Sequence, residues 1–295
     1  MQSADFLSTV FFYLKVGENL NQNWIVENLN NAFSTWNGKL GELWGLVTTG
    51  PQTFKGGAVW SVMQTLHNGM VGIGYALVVL FFAISLCKNT MNFHELKRPE
   101  AAIHYLIRFV AAKALVGYGM DIMLNVFSIC NGIVTDMADS MGGISEAMVS
   151  LPAEMQTAIE NVGFLASIPL WLVTILGSLF ITVLSFVMIL TVYGRFFRLY
   201  MYTALAPLPL AAFAGESTQS VGISFLKSYV GVCLEGAVIV LACVIYSAFV
   251  GTPTVTGGEA TTIVWSYLAE TVFNMLVLVG LIKGSDRIIH EMMGL

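Results

Sequence analysis

The chain has 295 residues, of which 56% are hydrophobic and only 11% charged, and a formal net charge of −5; its mean hydropathy is +0.76. Soluble domains carry about 25% charged and roughly 45–50% apolar residues, so a soluble chain of this composition could not cover its own surface, and an all-α, polytopic helical membrane protein is expected instead. The 13 Lys and Arg form no block, which argues against a basic nucleic-acid-binding stripe. The four Cys include no CxxC pair and read as small apolar packers rather than a disulfide framework.

At the N-terminus Asp5 precedes the apolar Phe6–Leu14 stretch and the first Lys is Lys15, the reverse of a cleavable signal peptide. Residues 1–57 read as one amphipathic helical region. Ile25, Leu29, Phe33, Trp36, Leu40, Leu43, Trp44 and Val47 recur at spacings of three and four, which is one helical face. Glu27, Asn28, Asn31, Ser34, Asn37, Lys39 and Glu42 fill the other. Such a helix lies on a membrane surface or packs on a partner, and cannot span. Gly50-Pro51 ends it, and Gly56-Gly57 opens the next unit.

Residues 58–295 read as a transmembrane helical bundle. Apolar runs cover about 58–87, 101–134, 162–192, 225–250 and 261–282, each long enough for a span of roughly 20 residues. A shorter stretch, 199–214, contains Pro207 and Pro209 and reads as re-entrant or as a Pro-kinked span. The expectation is about five transmembrane helices plus that half-span. Basic residues collect in loop 88–100, in a turn at Arg195–Arg198, at Lys227 and in the tail at Lys283 and Arg287, whereas 135–161 and 251–260 have none. The positive-inside rule then sets the first group in the cytoplasm, with the N-terminal region outside and the C-terminus inside. Lys15, Lys39 and Lys55 run against this assignment.

Catalytic patterns are missing. His94-Glu95 and His290-Glu291 lack the second His of HExxH, and there is no nucleophile elbow, phosphate loop or third glycine after Gly72 and Gly74. No enzyme activity, metal or cofactor is expected. The polar residues inside apolar runs carry more information: His67, Arg108, Lys113, Asp121, Glu235 and Glu270. A charge at the bilayer centre costs at least about 2.5–3.5 kcal/mol. These groups therefore either hold helices together or line a polar path, and Arg108 can instead snorkel to the inner face. Gly280 and Gly284 form one GxxxG, a common pattern.

Four stretches carry a resemblance: Phe93–Glu100 (FHELKRPE), Ile107–Ala114 (IRFVAAKA), Arg195–Arg198 (RFFR) and Ala206–Ala214 (APLPLAAFA). Together they resemble the TrbL-type polytopic membrane subunit of conjugative type IV secretion systems, nearest to versions from integrative elements of gram-positive bacteria, over about 58–295. The resemblance implies a non-catalytic core subunit of the cytoplasmic-membrane channel. It implies several copies of this chain, neighbouring secretion membrane subunits and ATPases as partners, transferring single-stranded DNA as the cargo, and the lipid bilayer as the medium. Lys97, Arg98, Arg195 and Arg198 are the residues it would offer to cytoplasmic partners. A small-solute secondary transporter, which needs broken helices in matching halves, and a membrane scaffold without a conduit stand as alternatives.

Overall fold

The computed structural model describes residues 2–90, 99–140, 148–249 and 260–294. All regular structure among them is helical: α1 (Gln2–Thr48), α2 (Ala58–Thr90), α3 (Pro99–Gly117), α4 (Gly119–Ser140), α5 (Ala153–Glu160), α6 (Phe164–Leu205), α7 (Pro207–Ala211), α8 (Gln219–Phe249) and α9 (Ala260–Met293). Short 3-10 turns, Phe54–Gly57 and Ala212–Ala214, precede α2 and follow α7. Among the described residues, four stretches are long and apolar enough to cross a membrane, Phe54–Lys88, Ser167–Leu205, Gln219–Phe249 and Thr261–Met293; α3 with α4 makes a fifth if that bent pair is one broken span. The chain is a polytopic helical membrane protein.

The helix expected from the three-and-four spacing is α1. Ile25, Leu29, Phe33, Trp36, Leu40, Leu43 and Val47 are all buried, while Glu27, Asn31 and Ser34 are exposed. Between α1 and α2 the backbone reverses through three left-handed residues, Lys55 (φ 51°), Gly56 (φ 72°) and Gly57 (φ 78°), a conformation that costs glycine nothing.

Contacts divide the chain into two units. One unit comprises Met1–Trp44, Gly143–Thr191 and Ala242–Lys283. Here the apolar face of α1 finds its partners within the chain. The Trp24 and Trp171 rings lie 5.7 Å apart, and Phe33 meets Tyr267 edge-on at 6.4 Å. Asn37 pairs with the Val149 backbone twice, its amide donating to the carbonyl at 2.8 Å and its oxygen accepting from the N–H at 2.9 Å. The Tyr267 hydroxyl donates to the Ser150 carbonyl at 3.0 Å.

The other unit comprises Gly45–Gly142, Val192–Leu241 and Gly284–Leu295. Two expectations are corrected there. The run 101–134 is not straight: α3 and α4 meet at 72°, broken at Tyr118 between two glycines. A Cβ on Gly117 would stand 2.7 Å from the Tyr75 hydroxyl, so a larger residue there would displace that side chain. Nor does the chain turn at Arg195–Arg198. It continues as helix to Leu205, making α6 42 residues long, roughly 63 Å at about 1.5 Å per residue. The break falls at Ala206-Pro207: Ala206 keeps helical angles (φ −49°, ψ −39°), but Pro207 has no N–H to continue the ladder and its ring clashes with the carbonyl four residues back. The segment expected over 199–214 therefore contracts to α7 and its 3-10 turn. Pro207 opens α7 at its first turn, where a missing N–H costs nothing. Pro207, Leu210 and Ala211 are buried and Pro209 half-buried, with α7 packed on α2 and α3.

If the α1 face is a true core, Leu40→Ala should lower the stability of the detergent-solubilised chain by about 2–5 kcal/mol. Asn31→Ala, on the exposed face, should stay within about 0.5 kcal/mol. Thermal unfolding of both variants checks this.

Candidate functional site

Arg195 is completely buried. Its Nε donates to the Val232 carbonyl at 3.3 Å, one terminal nitrogen to Val47 at 3.3 Å and the other to Cys233 at 3.1 Å. The Phe127 ring lies 6.0 Å from the guanidinium carbon, within cation–π range. Val47 lies in the last turn of α1, whose carbonyls have no partner within their own helix, so the cation caps a helix end whose dipole is negative. A Cβ on Gly236 would stand 2.8 Å from the guanidinium. Glycine at 236 is what lets the group reach the carbonyls of α8.

One helical turn on, Arg198 faces carboxylates. A single terminal nitrogen lies 2.7 Å from both oxygens of Glu235, and the other donates to Asp286. The Glu235 side chain is 1% exposed and that of Arg198 27%. The Ser285 hydroxyl also donates to Glu235, at 3.2 Å. Arg195, Arg198, Glu235 and Asp286 carry two charges of each sign. They link the end of α1 with α6, α8 and the tail of α9. Burial of this kind is tolerated only when each charge is paired and hydrogen-bonded.

This geometry corrects the expected cytoplasmic docking role of Arg195, whose donors are consumed inside the protein. Arg198 keeps a quarter of its side chain exposed but is held by two carboxylates. It also corrects the expected topology. Arg195 and the neighbouring residues of α6 touch the stretch ahead of α2: Phe54 stacks on Phe196 at 4.1 Å, the Tyr200 hydroxyl donates to Pro51 at 2.9 Å, and Lys55 lies over the Tyr193 ring at 5.3 Å. Stretches in direct contact cannot occupy opposite faces of a hydrocarbon layer about 30 Å thick. The two Arg were read as loop charges. Mid-helix charges satisfied internally carry no topological signal.

The other candidates separate by exposure. His67 is buried, its Nδ1 2.7 Å from the Thr203 carbonyl. Lys113, Asp121 and Glu270 are exposed. Lys97 and Arg98 lie outside the described residues. Among the described residues, no three His, Cys, Asp or Glu side chains gather as metal ligands would.

Asp121 belongs to a row that sequence inspection missed. On α4, Asp121, Asn125, Ser128, Gly132, Asp136 and Asp139 are all exposed, and their spacing of three and four puts them on one face. Met123, Phe127, Cys130, Val134 and Ala138 form the buried face. The polar row borders an open cleft of about 520 Å³, closed on its other side by Gly50, Pro51 and Gln52. Next to it the Asn131 amide donates to Thr48, at the end of α1, at 3.2 Å. The alternation was present in the sequence, but reading 101–134 as one straight span hid it.

The profile of the TrbL/VirB6 plasmid conjugal transfer like proteins matches residues 36–207. The chain belongs to that family. No curated protein and no solved structure matches it. The TrbL/VirB6 match differs from the expected extent of 58–295. It begins inside α1 and ends at Pro207, so it takes in the turn ahead of α2, the whole polar face of α4 and both Arg of α6, and leaves Glu235, Glu270 and Asp286 outside. As a member of the family, the chain is a membrane component of conjugal transfer.

The Arg198 cluster makes a two-sided prediction for this TrbL/VirB6 chain. Arg198→Met strands Glu235 as a buried unpaired charge and should cost about 3–5 kcal/mol. Adding Glu235→Leu should restore most of that loss, because the penalty belongs to the orphaned charge. A double-mutant cycle on thermal unfolding in detergent reads both arms.

Proposed function

We propose that the chain is a non-catalytic core subunit of the cytoplasmic-membrane channel of a conjugative type IV secretion apparatus, and that several copies surround a hydrophilic path for single-stranded DNA or protein. The observation that carries this reading is the exposed polar row of α4, which faces outward from a helix within the family-matched stretch. Hydrocarbon does not accept such a row; water or another subunit does. Glu270 adds to it. It is exposed on α9 one turn from Phe273, itself 59% exposed, and a carboxylate there calls for a protein neighbour or water rather than lipid. Lys113 shares this position on α3. His67 and Glu235, being internally partnered, join helices in this reading and do not line the path.

The basic loop with Lys88, Lys97 and Arg98 is the cytoplasmic surface in this proposal, available to the secretion ATPases and neighbouring membrane subunits. Cys87 is the exposed native cysteine, the other three being buried, and it adjoins that loop. It should resist a membrane-impermeant maleimide in intact cells and react once the cells are permeabilised. A cysteine placed at Glu160 in a Cys87→Ser background should show the opposite pattern. Equal labelling of both from outside rejects the orientation.

A small-solute transporter gains one observation. The sequence offers a single interrupted segment, whereas the described residues include two, at Tyr118 and Ala206. The second is followed by a helix of only five residues, a poor match to an inverted repeat. Photoreactive residues at Asn125 and Ser128 distinguish the readings during mating. Crosslinks to the transferring strand, with none from Leu172 on the apolar surface of α6, support the channel subunit. Crosslinks only to other membrane subunits favour a scaffold, and transfer unaffected by Ser128→Trp removes α4 from the path.

A further inference from the structure

A second cleft, of about 540 Å³, lies between α3 and the segment joining α7 to α8. Its wall is apolar, formed by Ile107, Leu115 and Phe213, and its rim carries His104, Arg108 and Glu216. It adjoins the most lipid-like surface of α3: Ile103, Leu106, Ile107 and Val110 are each 57–59% exposed. Arg108 and Glu216 stand 3.9 Å apart, their side chains 32% and 64% exposed. That separation is beyond hydrogen-bonding range, so both charges keep donors and acceptors open to a third group. The Glu216 backbone is held in place, its N–H donating to the Ser85 hydroxyl at 3.5 Å, and the Thr218 hydroxyl donates to Ala212 at 2.7 Å. Arg108 lies nine residues into α3 from Pro99, roughly 13 Å along the axis, a depth from which a guanidinium reaches a bilayer's headgroup layer.

An apolar wall continuous with a lipid-facing surface, and a rim with one cation and one anion, match one class of molecule. We propose that the cleft binds a zwitterionic aminophospholipid, with its phosphate on Arg108 beside His104, its ammonium on Glu216, and the start of an acyl chain against Ile107, Leu115 and Phe213. A purely anionic headgroup would face Glu216 and be repelled; a zwitterion satisfies both charges. The cleft volume is within the usual range for small-molecule sites. The inference is independent of the channel reading, since it concerns a different face and a different ligand.

Native mass spectrometry of the full chain in detergent tests it, with phosphatidylethanolamine, phosphatidylglycerol or inorganic phosphate added in turn. One phosphatidylethanolamine per chain should be retained, roughly tenfold more than phosphatidylglycerol, which is the effect of one lost ionic contact. Arg108→Ala should abolish retention, and Glu216→Gln should bring the two lipids to parity. Lys227→Ala should change nothing. All three positions are at least partly exposed, so the fold should survive substitution, and a matched melting temperature checks it. Equal retention of both lipids by the native chain, retention unaffected by Arg108→Ala, or competition by inorganic phosphate at the lipid's concentration would each overturn the proposal.

Discussion

Two guanidinium groups one helical turn apart must be satisfied by protein, because an apolar interior offers them nothing else, and much of the unit around them is arranged to do so. Arg195 takes backbone carbonyls from the middle of α8 and from the end of α1. Arg198 takes a carboxylate from α8 and another from the end of α9. Each requirement fixes something else. Position 236 must be glycine-sized, α1 must end where its carbonyls meet Arg195, and α6 must remain helical past residue 198 so that both side chains project from one face. The cluster is neutral in sum, with two Arg against Glu235 and Asp286, which is the condition under which buried charge does not simply expel itself into water.

The parts of this arrangement legible in sequence were those set by local periodicity. The buried face of α1 follows from apolar residues recurring every three or four positions, and the turn at 50–57 from Gly and Pro. The long apolar runs report their spans through length alone. What stayed hidden depended on distant partners. Glu235 and Asp286 lie 37 and 88 residues from Arg198, and no spacing rule connects them. Arg195 and Arg198 were misread for the same reason: between two apolar runs, an Arg pair in a loop and an Arg pair with buried acceptors are written with the same letters. The bend at Tyr118 was also invisible, since Gly-Tyr-Gly inside an apolar run fits a close-packed straight helix as well as a broken one. Only the 72° angle between α3 and α4 separates the two.

The bend changes what the residues after it mean. In a straight span, Asp121 is one isolated charge in hydrocarbon, explained equally well as glue or as lining. On a separate α4 it begins a row that includes Asn125, Ser128, Asp136 and Asp139, set opposite a buried apolar face. A single buried acid can be neutralised by taking up a proton. A row running the length of a helix cannot be hidden that way and has to be hydrated or covered. Two sets of described charges thus contrast: Arg195, Arg198 and Glu235 have their needs met internally, whereas those on α4 and at Glu270 are exposed.

That partition bears on assembly. A subunit satisfied everywhere inside lipid has no physical reason to associate, because lipid tails solvate apolar helix surfaces as well as another helix does. Here α4 and, separately, Glu270 on α9 present exposed polar groups, and each charge left against hydrocarbon costs at least a few kcal/mol. Association around water would remove that cost, which is the physical support for the proposed channel role. The internal ion cluster supplies the complementary condition. With its strongest charges already paired, the protomer keeps the fold of the unit that carries α4, and the polar row remains available to whatever lies across from it.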